Sequence, residues 1–98
     1  MFCYKIHICG DEVLVAACDE EIVGKTFFGG ELRLEVRESF YKRGVASLDE
    51  LADVLSGATI ANLAGNKVVD SAICAGYVAK ENVLVIGGVK HAQFVVMP

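Results

Sequence analysis

The sequence has little that divides, anchors or steers a chain. Its one proline is residue 98, and no proline- or serine-rich stretch interrupts the rest. With no linker, 98 residues read as one domain. No apolar run approaches the roughly 20 residues that a membrane helix needs. The opening MFCYKIHICGDE alternates apolar and polar residues instead of forming a basic leader, so no secretory signal is expected. The expectation is a cytoplasmic protein without membrane attachment, whose four cysteines are reduced. Basic charge is scarce: nine Lys and Arg against 13 Asp and Glu give a net charge of −4. That speaks against a general nucleic-acid binder but leaves room for a local basic patch.

Familiar motifs are missing too. The triplet Gly24-Lys25-Thr26 resembles the end of a phosphate-binding loop. That loop needs a glycine five positions earlier, where Asp19 stands. No dinucleotide fingerprint is present, and no cofactor is expected. No two cysteines are spaced two to four residues apart, as zinc sites usually require, so no metal is expected.

What the sequence does have is apolar patterning. Hydrophobic residues make up 54% and charged residues 22%, which excludes disorder. Phe2, Tyr4, Ile6 and Ile8 alternate with Cys3, Lys5, His7 and Cys9, the period of a strand. Gly10-Asp11 suits a type II′ hairpin, which sets Cys3 opposite Cys18. The pair is expected as two free thiols. Strand 12–18 is apolar on both faces and belongs inside the sheet. Residues 19–24 suggest one helical turn capped by Asp19. A second hairpin is expected around Gly29-Gly30. In its outgoing strand Leu32, Leu34 and Val36 face in, while Glu31, Arg33, Glu35 and Arg37 face out.

Residues 47–57 form the clearest helix. Ser47 and Glu50 make a capping box, and Leu48, Leu51, Ala52 and Leu55 make the stripe. Residues 58–65 read as a buried strand, with a helix as the alternative over 58–63. Asn66 would cap a second helix ending at Gly76, with Val68, Val69, Ala72, Ile73 and Ala75 on its core side. Strands 82–88 and 91–96 follow. Strand, helix, strand over 58–86 is a βαβ unit. The fold class is α+β, with a mixed sheet built from N-terminal hairpins plus a C-terminal βαβ unit and two main helices.

Two groups of residues are candidates for function. In a βαβ unit the strands ending near Leu63 and Ile86 point to one edge, where open sheets bind ligands. Asn62, Gly65, Asn66, Lys67, Gly87, Gly88, Lys90, His91 and Gln93 gather there. The amides at the helix start and the two lysines favour an anion, and Asn62 and Gln93 would orient it. The bland alternative is a Gly-Gly hairpin with His91 and Gln93 in solvent. The second group, RESFYKR, sets Arg37, Lys42 and Arg43 around Phe40 and Tyr41, a pattern that can hold phosphates and stack bases. Core anchoring by the two aromatics is the favoured alternative. Cys74 falls on the outer side of its helix and reads as an exposed thiol rather than a nucleophile paired with His91.

The stretches EVLVAACDEEIVGKTF, LRLEVRESFY, ATIANLAGNKVVDSAI and IGGVKHAQ together resemble an archaeal domain-of-unknown-function family, number 424. The family pattern has proline where this chain has Lys90, which adds a charge beside His91. The resemblance implies a small archaeal cytoplasmic protein, and for some members a label of RNA binding. It implies no reaction.

The leading expectation is a non-catalytic binding module that acts with RNA or the translation machinery. The second is a small-anion site, open to catalysis, at the Asn62/Gly65/Gly87/His91 edge. The third is a structural subunit that packs on itself, as a homo-oligomer, or on a partner.

Overall fold

The hairpin read from the first residues forms in the predicted register. In a computed structural model that describes residues 1–97, β1 (Phe2–Cys9) pairs antiparallel with β2 (Glu12–Asp19), and Cys3 lies opposite Cys18. Gly10 alone in the turn has positive φ, as a type II′ turn requires. β2 is internal, with β1 on one side and β6 (Ile60–Ala64) parallel to it on the other. Residues 58–63 thus contain a strand, not a helix.

The sheet order is β5-β1-β2-β6-β8-β7. β5 (Gly44–Ala46), β7 (Leu84–Ile86) and β8 (Val89–Val95) each pair antiparallel. The expected βαβ unit is therefore split. β6 and β7 run in the same direction, but β8 lies between them. The tight Gly87-Gly88 turn sends β8 back into the gap beside β6.

The second hairpin, β3 (Thr26–Gly29) with β4 (Leu32–Glu35), forms a separate two-stranded sheet. Its turn is Gly30-Glu31, one residue later than expected, because Gly29 pairs with Leu32. Leu34 and Val36 are buried as the alternation predicts, but Leu32 is half exposed.

Three helices complete the fold: α1 (Glu38–Tyr41), α2 (Leu51–Leu55) and α3 (Asn66–Cys74). A 3₁₀ turn over Leu48–Glu50 leads into α2, and Glu50 Oε1 accepts the Ser47 N–H at 3.4 Å, closing the predicted box. α3 ends as predicted. Gly76 has φ +84°, and the N–H groups of Gly76 and Tyr77 donate to Ile73 O and Ala72 O.

The two sheet faces are covered unequally. α2 and α3 bury Leu51, Leu55, Val68, Val69 and Ala72 against Phe2, Val15, Ala17, Leu63 and Ala92. On the other face, Leu34, Val36 and Tyr41 pack on Cys3, Ala16, Cys18, Ala64 and Val89. That second cover is small, so polar side chains of β6 and β8 on the same face stay open.

Candidate functional site

The edge expected to hold an anion carries its own carboxylates. Asp19, at the end of β2, is 4% exposed. Its Oδ1 accepts Val68 N–H at 2.8 Å and its Oδ2 accepts Lys67 N–H at 3.1 Å. Asp19 therefore caps α3 rather than its own short 3₁₀ turn, Glu20–Ile22. Gly65 makes room for this carboxylate: it has φ +107°, and a Cβ there would lie 2.3 Å from Asp19 Cγ. Lys67 Nζ pairs with Glu21 at 3.1 Å, and Lys90 Nζ with Asp70 at 2.6 Å. A backbone hydrogen bond, then Lys67, holds the Glu21 carboxyl below its ordinary value. The amides at the start of α3, Lys67 and Lys90 thus each already face an internal carboxylate.

Asn66 also departs from its expected role, since Gly65 is the N-cap. Asn66 Oδ1 accepts Lys90 N–H at 2.9 Å, and its Nδ2 donates to Gly88 O at 3.4 Å. Gly65 N–H donates to Lys90 O at 2.8 Å. Gly87 and Gly88, with φ +58° and +81°, form a type I′ turn. A Cβ on Gly87 would meet Phe28 O at 2.8 Å, so the β3–β4 hairpin rests on this turn. Gly65, Asn66, Gly87 and Gly88 thus latch the start of α3 to the β7–β8 turn.

Asn62, His91 and Gln93 lie elsewhere. They share the half-covered face and line a cleft of about 480 Å³ with Arg33, Arg37, Ser39, Phe40 and Tyr41. The cleft therefore joins three residues of the first nominated group to three of the second. Asn62 and Gln93 are opposite each other in the β6–β8 register. Gln93 Nε2 donates to Asn62 Oδ1, leaving Asn62 Nδ2 and Gln93 Oε1 for a ligand. His91 is half-buried, and its Nδ1 lies 2.9 Å from Leu63 O. A carbonyl oxygen only accepts, so Nδ1 carries the proton and the neutral ring keeps its lone pair on Nε2.

The other wall is pinned by β1. Lys5 Nζ donates to Ser39 O at 2.8 Å, and His7 Nε2 donates to Phe40 O at 2.9 Å. The His7 ring also stacks on Phe40, with centroids 4.8 Å apart. Tyr41 is 4% exposed, and burial pushes its hydroxyl up to about 12. Of the RESFYKR aromatics, Tyr41 is thus buried in the core, while Phe40 is half-buried, packs against that core and lines the cleft. Lys42 and Arg43 are exposed beyond α1 and are not among the lining residues.

Arg37 binds Glu35 in bidentate fashion, with Nε–Oε2 at 3.1 Å and an Nη2–Oε1 bond at 3.2 Å. Arg33 approaches the same carboxylate at 3.8 Å. Arg37, by hydrogen bond and charge, holds the Glu35 carboxyl below its ordinary value. Two guanidiniums against one carboxylate leave an excess positive charge. Sequence reasoning missed Arg33, Glu35 and Ser39. The alternating signs of 31–37 read as a solvated strand face, and nothing local indicated that this strand would line one cleft with Asn62.

A solved structure of similar fold gives a TM-score of 0.81 at 24% identity, covering 99% of this chain and 92% of that one. It is described as an uncharacterized conserved protein from Methanopyrus kandleri. No curated protein matches. A family model described as a protein of unknown function, DUF424, matches residues 6–97, and the chain belongs to that family.

Proposed function

We propose that the domain is a binding module that holds a small organic anion in the cleft between the β4–α1 segment and the β6–β8 face. One observation carries this reading: Asn62, His91 and Gln93 converge with Arg33 and Arg37 on one cavity of about 480 Å³. That volume suits small-molecule pockets, which run to roughly 300–1,000 Å³. Guanidinium groups offer paired donors matched to carboxylate or phosphate. The Asn62–Gln93 amide pair, fixed across two strands, would orient the polar body of the ligand. The His91 imidazole adds an acceptor when neutral and a donor when protonated.

The test is a melting and calorimetric titration with phosphate, citrate and nucleoside monophosphates. Arg37→Ala and Gln93→Ala alter exposed side chains, so each should leave stability within about 0.5 kcal/mol. Each should weaken the best-bound anion by about fivefold or more. If no anion raises the melting midpoint, or if both variants bind like the parent, the reading fails.

A second reading, an RNA strand, rests on exposed Lys42 and Arg43, which follow the cleft-lining Phe40 and Tyr41 in the chain. It is the weaker one, because His7 covers a face of Phe40 and Tyr41 is buried. A single-stranded oligonucleotide in the same titration tests it. Salt-sensitive binding reduced by Lys42→Ala and Arg43→Ala would support it. Association with the translation machinery would follow only from such binding.

A further inference from the structure

β7 is an edge strand, with β8 as its one sheet partner. Ile86 and Val89 flank the two-residue turn, and Val85 lies opposite Lys90. The backbone of Lys90 is turned away from β7: its N–H donates to Asn66 and its C=O accepts from Gly65. Val85 and Lys90 therefore form a non-hydrogen-bonded pair, and the N–H and C=O of Val85 point outward from the sheet. An unpaired edge of this kind is a template for another strand.

Apolar surface flanks the edge. Leu84 is 51% and Val85 62% exposed, and they point to opposite faces. On the Val85 side a groove of about 520 Å³ runs beside α3, lined by Ile73, Cys74, Lys80, Val83 and Val85, with the Lys90–Asp70 ion pair. Lys80 has no ion-pair partner among the described residues, so the groove carries one uncompensated positive charge.

We propose that β7 and this groove bind an extended peptide segment of a partner protein. The segment is apolar at alternate positions and carries an acidic group toward Lys80. It adds a strand to the edge, exchanges two backbone bonds with Val85, and places every second side chain in the groove. A second copy of this chain fits poorly. A three-residue strand is about 10 Å long, far short of an interface burying roughly 1,200–2,000 Å². Two-fold pairing would also bring the uncompensated Lys80 charges of two identical grooves together. The surface is separate from the cleft, so this proposal does not rest on the anion reading.

The experiment is selection of displayed random heptapeptides on the native protein, followed by synthesis of the enriched sequences. Alternating apolar residues with Asp or Glu at one end are expected. Bound peptide should slow alkylation of the exposed Cys74 by about tenfold at saturation. Val85→Pro removes the outward N–H at a position where an edge strand tolerates proline, and should weaken binding by about tenfold. Val85→Lys keeps the backbone and should do the same if the proline variant fails to fold. Three results would overturn the proposal: no enrichment, peptides that bind Val85→Lys normally or leave Cys74 unprotected, and self-association abolished by Val85→Lys.

Discussion

Asp19 is nearly buried, and its carboxylate accepts the Lys67 and Val68 amides at the start of α3. Asp19→Ala would strand both donors and should cost about 1–3 kcal/mol. Gly65→Ala should cost at least as much, because the methyl would meet Asp19 at 2.3 Å on a backbone with φ +107°. Gly57→Ala is the control. Open space surrounds Gly57, so its denaturation midpoint should stay within about 0.5 kcal/mol of the parent. Equal effects at the two glycines would contradict the role given to Asp19. The thiols also separate by position. Cys18 is buried, and desolvation pushes it up to about 12 from 9.0. Desolvation likewise raises Cys3, while Cys9 and Cys74 are exposed. A thiol reagent should therefore label Cys9 and Cys74 in the native protein, and Cys3 and Cys18 only on unfolding. Because burial raises the folded-state values, the stabilising contribution is complete below the unfolded thiol value of 9.0. It is lost as pH rises from there toward about 12, and Tyr41 adds loss above its ordinary 10.0. Urea midpoints should fall across that alkaline window, and less steeply in Cys18→Ala.

The elements with strong local signals were legible in the sequence. Alternation with Gly10-Asp11 sets the β1–β2 register, and Ser47 with Glu50 marks the entry to α2. Ser47→Ala should lower stability by about 1 kcal/mol in chemical denaturation, and an unchanged midpoint would mean that the box contributes nothing. Short elements carried no such signal. β5 is three residues long, too few to show a period, and it exists because Gly44 lets its strand lie against the Tyr4 ring. Strand order was illegible for another reason. Periodicity reports which face a residue occupies, not which strand lies beside it. The insertion of β8 between β6 and β7 depends on the Gly87-Gly88 turn and the Asn66 clamp, contacts that span 22 and 24 residues.

At the scale of the whole molecule the cleft follows from unequal cover. α2 and α3 seal one sheet face, whereas a four-residue helix and a short hairpin leave part of the other open. Asn62, His91 and Gln93 were legible as polar interruptions in buried strands. Arg37 was legible within RESFYKR but not as their neighbour, and Arg33 was not legible at all, because the approach of the β4–α1 segment to the β6–β8 face is tertiary. Glu35 should act as a competitor for those guanidiniums. Glu35→Gln should strengthen anion binding by about two- to fivefold, the range set by an exposed ion pair, as read by calorimetry. The most direct test of the cleft is a chemical-shift titration of ¹⁵N-labelled protein with whichever of phosphate, citrate and the nucleoside monophosphates raises the melting midpoint most. The side-chain amides of Asn62 and Gln93 and the Nε–H of Arg37 should shift together with one midpoint, while the backbone amides of Gly65, Lys67 and Lys90 stay in place. Shifts confined to Gly65, Lys67 and Lys90, or no shift at any of these groups, would contradict it.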